Sequence, residues 1–168
     1  MIEYHYRRWM KAMLWLGVLL AILYFGVGHY YRLAVNLSDS VSGRLFLIAK
    51  GTLPARGELV AFTPPPDHLW VEGRGYVPPK ANFIKLALGM PGDQVLIQRS
   101  RVFIEQHDVG TLLSHSADGR VLHPISSGVI PAQHYFMGSY HERSYDSRYQ
   151  SMGLVPQTQI MGRAYRLF

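Results

Sequence analysis

Hydrophobic and polar positions fall into two regimes along this chain. From Ala12 to Gly28 there is no charged residue, and His29, Tyr30 and Tyr31 extend the run. As a helix this stretch is roughly 30 Å long, enough to cross a hydrocarbon core. Trp9 before it and Tyr30-Tyr31 after it are placed like interfacial aromatic belts. Beyond Arg32 the apolar runs become short and are bounded by Gly and Pro, as strands are. Arg44 to Ala49, Glu58 to Phe62, His134 to Met137 and Gln159 to Leu167 read as strands. Gln94 to Gln98 and Arg101 to Glu105 flank Arg99-Ser100, which reads as a tight hairpin without the favoured Asn-Gly pair. Pro64, Pro65, Pro66, Pro78 and Pro79 make residues 63–80 an irregular excursion, within which Leu69-Trp70-Val71 is apolar material for a satellite core or for shallow membrane contact. No amphipathic helical period stands out in this half.

The pattern divides the chain into a cytoplasmic amino terminus (1–11), a transmembrane anchor (12–31) and an extracytoplasmic domain (32–168). Arg7, Arg8 and Lys11 precede the span and only Arg32 closely follows it, so the first residues are expected inside. A cleaved signal peptide is the competing reading. The length of the run and the bulky residues at its exit speak against it.

Composition narrows the chemistry. The chain has 168 residues and a net charge of +6. Its basic residues are scattered, without the stripe or cluster that nucleic-acid binding uses. Cysteine is absent and the eight histidines stand apart, so neither disulfides nor a metal site is expected, and no cofactor is implied.

Three stretches carry candidate chemistry. The first, Val35 to Phe46, places Ser38, Ser40 and Ser42 at alternate positions. If extended, these serines share one side, although serine clusters are commonly turn and cap residues. The second runs from Asn82 to Asp93. As a strand it puts Phe83, Lys85 and Ala87 on one face and Ile84, Leu86 and Leu88 on the other, so a lysine sits in a strand apolar on both sides. A buried amine lowers its pKa and becomes a possible general base for a serine, but a strand lysine can equally snorkel or pair with a carboxylate. In the third, Gly138 to Tyr149, an extended chain would align Ser144, Asp146 and Arg148, with an ion pair and a hydroxyl able to orient a nearby amine, although read alone the stretch is a polar loop with a salt bridge.

Together these stretches resemble the type I signal peptidase family, from about Asn36 to Val155 and in the same order along the chain. Ser38-Asp39-Ser40 is similar to its serine box and Gly57-Glu58-Leu59-Val60-Ala61-Phe62 to its short Gly-acid-hydrophobic box. Lys85 before Gly89-Met90-Pro91-Gly92-Asp93 is similar to its lysine box, and Ser144-Tyr145-Asp146-Ser147-Arg148-Tyr149 to its final box. The resemblance implies Ser40 as nucleophile, Lys85 as general base, and Ser38 with the Ser40 amide as oxyanion donors. It also implies that Ser144 orients Lys85 while Asp146 and Arg148 brace the site. The implied fold is mainly β, a twisted, mostly antiparallel catalytic domain behind one amino-terminal transmembrane helix.

The chain departs from the family's usual pattern in several places. Leu86 stands where Arg usually follows the lysine, Gly138-Ser139-Tyr140-His141 replaces Gly-Asp-Asn-Arg, and Val41-Ser42-Gly43 replaces Met-x-Pro. Compact size, a single anchor and the form of the final box look more like the TraF-type conjugative-transfer peptidases, which mature pilin and in some systems close it into a ring. The expected partners are a precursor protein and the bacterial inner membrane, with the catalytic domain in the periplasm. Ser40 would lie within about 30 Å of the bilayer even if the chain after Tyr31 were stretched. A general leader peptidase, or a non-enzymatic β component of a secretion or conjugation apparatus, are the rival readings.

Overall fold

The structure, a computed structural model, describes residues 2–36, 38–65, 82–116 and 119–168. Leu69-Trp70-Val71 and most of the proline-rich excursion lie outside the described residues. Helix α1 (Ile2–Tyr30) contains the apolar span Arg7–Tyr30, with mean hydropathy 2.0, and its described part is not buried against the rest of the protein. The helix therefore starts well before Ala12. It stops one residue short of the expected boundary because Tyr31 opens β1 (Tyr31–Val35), where it pairs with Ala49. Lys50 donates to the Gly28 carbonyl at 2.6 Å, placing a cation on one of the carbonyls left open at the helix end.

The remaining elements are strands. These are β2 (Leu45–Lys50), β3 (Leu59–Phe62), β4 (Phe83–Gly89), β5 (Gln94–Gln98), β6 (Arg101–Ile104), β7 (His107–Thr111), β8 (Gly128–Val129), β9 (His134–Gly138), β10 (Val155–Pro156) and β11 (Ile160–Arg166). They form a seven-stranded sheet in the order β1-β2-β11-β3-β4-β9-β10 and a four-stranded sheet in the order β7-β6-β5-β8. The named strand pairs are antiparallel. The Arg99-Ser100 hairpin is present. Both residues adopt left-handed backbone (φ 46° and 65°), the mirror-image turn that matches strand twist even without glycine.

Strand β4 is central and is covered on both sides, as its sequence predicts. Phe83 and Ala87 pack with Val60, Phe62 and Met137, in a cluster that also holds Tyr145 and Tyr149. Ile84 turns the other way, toward Phe46, Ile48, Ala61 and Ala164. Leu88 joins Val95, Ile104 and Phe136 beneath the smaller sheet. Each large side chain fully buried here contributes about 1.5–3 kcal/mol relative to exposure. The strand that carries Lys85 is thus packed into all three apolar clusters of the domain.

Candidate active site

Lys85 sits opposite Val60 in the β3–β4 ladder and is only 5% exposed. Its ammonium donates to Ser144 Oγ at 2.8 Å. Burial is the main force on this amine and lowers its pKa from 10.5 to about 8; the Asp146 carboxylate opposes that shift and the Arg148 guanidinium adds to it. A lysine otherwise charged at neutral pH is therefore brought to where a modest rise in pH makes it a base.

The segment holding Ser144 is not extended. It turns, and polar side chains fix its path. Arg148, 1% exposed, forms two parallel bonds to Asp146, Nε to Oδ1 at 2.8 Å and Nη2 to Oδ2 at 2.9 Å. Such a fork-to-fork pair is the geometry that makes a buried guanidinium tolerable. Arg148 Nη2 also donates to the carbonyls of Ser144 (3.0 Å) and His141 (3.1 Å), and Nη1 to that of Thr111 on β7 (3.1 Å). Asp146 receives the backbone amides of Ser139 and Arg148 as well. Gly110 makes room for the guanidinium: a Cβ there would lie 2.5 Å from Arg148 Nη1, and its φ of +133° suits glycine. Ser147 donates its amide to the Met137 carbonyl and accepts the Met137 amide on its hydroxyl oxygen, tying the turn to β9.

The serine stretch also departs from the extended form. After β1 the chain turns at Asp39-Ser40, so the three serines do not line one side. Ser38 Oγ lies 2.9 Å from Ser40 Oγ, whereas Ser42 Oγ accepts from Arg166. The turn is organised by Asn36, whose side chain bonds to the backbone of Ser38, Val41 and Gly43 and to the Ser38 hydroxyl. These bonds take up backbone groups that a strand partner would otherwise satisfy.

Of the six residues singled out from sequence, Lys85, Ser144, Asp146 and Arg148 form one connected polar cluster, and Ser38 and Ser40 are bonded to each other. Among the described residues no hydrogen bond joins Ser40 to Lys85. The sequence reading assigned no role to Asn36, although Asn two residues before Ser is an Asx-turn signal. Gly110 and the Thr111 carbonyl were invisible to it, because only the fold brings β7 to Arg148. No group of three His, Asp or Glu side chains among the described residues is placed to hold a metal ion.

Residues 6–168 match the family described as signal peptidase, peptidase S26. A conjugal transfer protein TraF of Agrobacterium fabrum is 32% identical over 145 residues, covering 80% of this chain and 81% of that protein. A second TraF, from Agrobacterium tumefaciens, is 35% identical over 149 residues and covers 82% of each. A signal peptidase I of Pseudomonas fluorescens is 29% identical over 150 residues, covering 68% of this chain and 49% of that protein.

Proposed function

Since this chain belongs to the signal peptidase S26 family, we propose that it is a membrane-anchored serine endopeptidase in which Ser40 is the nucleophile and Lys85 the general base. The observation that carries the reading is the buried Lys85 amine, depressed to about 8 and aimed by Ser144 Oγ at 2.8 Å. Neutral Lys85 takes the proton of Ser40, whose oxygen attacks the scissile carbonyl. The Ser38 hydroxyl and the Ser40 amide receive the developing oxyanion. The Lys85 ammonium then returns its proton to the leaving amine, and water, activated by the regenerated amine, releases the acyl group from Ser40. Asp146 and Arg148 keep Ser144, and through it the amine, in place.

The substrate is read as the precursor of a conjugative pilin, held extended near the site and cut close to the membrane. If the substrate's own amine replaces water in the second step, the product is a ring. Identity is 32% and 35% to the two conjugal transfer relatives and 29% to the signal peptidase I, which supports this reading over a general leader peptidase. The anchor is α1, with the β domain outside the cytoplasm.

The test is co-expression with a candidate pilin precursor and mass spectrometry of the product. Ser40→Ala and Lys85→Ala should each leave the precursor uncut while the protein still inserts and folds. Ser42→Ala should process nearly as the parent does, since its hydroxyl faces Arg166. Processing by Ser40→Ala would overturn the assignment, and a product lighter than the linear peptide by one water identifies ring closure.

A further inference from the structure

Asn36 is 8% exposed and lies four positions before Ser40. Its surroundings settle which end of its amide is nitrogen. One end lies 2.9, 3.0 and 3.2 Å from the carbonyl oxygens of Ser38, Val41 and Gly43, and carbonyls can only accept, so that end is Nδ2. The other end, Oδ1, receives the Ser38 amide at 3.1 Å and the Ser38 hydroxyl at 3.0 Å.

A direction follows for the whole chain of bonds. A hydroxyl has one proton, and that of Ser38 is committed to Asn36 Oδ1, which has none to give. The 2.9 Å contact between the two serines must then use the proton of Ser40, with Ser38 accepting. The order is Ser40 to Ser38 to Asn36.

We infer that Asn36 is a positioning residue for the nucleophile, acting through the hydroxyl of Ser38. It rests on the proposal that Ser40 attacks. In the resting protein Asn36 holds the Ser38 proton on its own oxygen and so leaves Ser38 as the acceptor for Ser40. A substrate carbonyl oxygen that draws the Ser38 proton toward itself rotates that hydroxyl, and the Ser40 proton is released to a base in the same movement. Arrival of substrate and release of the nucleophile are thereby one event.

The experiment is a double-mutant cycle on the full-length protein in detergent, with a synthetic precursor peptide and separate kcat and KM. Asn36→Ala should lower kcat about tenfold with KM nearly unchanged, about the worth of one hydrogen bond. In a Ser38→Ala background the same change should cost less than about twofold, since the hydroxyl through which Asn36 acts is already gone. Effects that multiply would mean Asn36 serves only to brace the loop, and would overturn the inference. Should Asn36→Ala fail to fold, Asn36→Asp keeps the acceptor oxygen for Ser38 and should hold kcat within about threefold of the parent; a tenfold loss there would put the role in the bonds to the loop carbonyls and overturn the inference. Failure of both to fold would also count against the inference, because the backbone bonds would then be the residue's role. Ser40→Ala run alongside separates the two readings. If it is active, the nucleophile assignment fails whatever Asn36 does; if it is inactive and the cycle is multiplicative, this inference fails by itself.

Discussion

The Lys85 ammonium donates to the Ser144 hydroxyl at 2.8 Å across fifty-nine positions of sequence, and this one bond joins the central strand β4 to the turn that follows β9. Ser144 is therefore expected to aim the amine without touching substrate. Ser144→Ala should lower kcat by about ten- to a hundredfold with little change in KM, as loss of a group that serves the transition state does. Steady-state kinetics on a membrane-free precursor peptide decide it. A change confined to KM would place Ser144 in substrate binding instead.

The pH dependence has a definite sign. Lys85 works as a base only when neutral, so kcat/KM should climb with pH and level off above about 8 rather than above 10.5. Asp146 raises this pKa and Arg148 lowers it. Asp146→Asn should move the rising limb to lower pH, and Arg148→Met should move it higher. Each change also leaves a buried charge without its partner, at a cost of about 3–5 kcal/mol. The profiles are therefore measured well below the melting temperature. Limbs that stay in place in both variants would show that another group titrates.

Under the proposed mechanism, function and stability are opposed at Lys85. Folded, the amine holds its proton only up to about pH 8; unfolded, up to about 10.5. Between those values the unfolded chain binds more protons, so stability rises with pH there. Below pH 8 the folded protein bears the full burden of a buried ammonium, about 3 kcal/mol. Lys85→Met, inactive, should melt higher than the parent at pH 7, and the gap should close as pH passes 10.5. Thermal unfolding at pH 7, 9 and 11 checks this; a gap independent of pH would contradict the desolvated amine.

Topology is tested in cells. Arg7, Arg8 and Lys11 before the span lead us to expect the amino terminus in the cytoplasm, so protease added to spheroplasts should digest the β domain without lysis. Digestion only after lysis would reverse the orientation.

Much of this was legible in the sequence, for physical reasons that differ by element. The two-faced burial of β4 follows from alternation with apolar residues in both phases, a signal independent of what packs against it. The Arg99-Ser100 hairpin could be read because its flanking strands leave just two residues between them. At 38–42 and 144–148 the sequence does not decide between an extended chain and a turn, since the shapes there come from side chain to backbone bonds made by Asn36, Asp146 and Arg148. Alternation says nothing about such bonds. Strand β7 (His107–Thr111) escaped notice because its exposed, polar start breaks the alternating pattern. Its Gly110 is indistinguishable in sequence from a loop glycine, and only the fold sets the Arg148 guanidinium against it.

That guanidinium has a consequence for how the protein comes apart. Its Nη1 rests on the Thr111 carbonyl at the end of the smaller sheet, while its other donors hold Ser144, His141 and Asp146. Fraying of β7 would leave a buried cation short of an acceptor and loosen the turn beneath Lys85 at the same time. Amide protons of β6, β7 and residues 144–148 should accordingly exchange with solvent as one cooperative unit, near the rate of global unfolding. The turn behind Lys85 is thus locked to both sheets, whereas the serine turn is held by the Asn36 side chain and the Arg166 contact to Ser42, and flexibility to admit a substrate is expected there first.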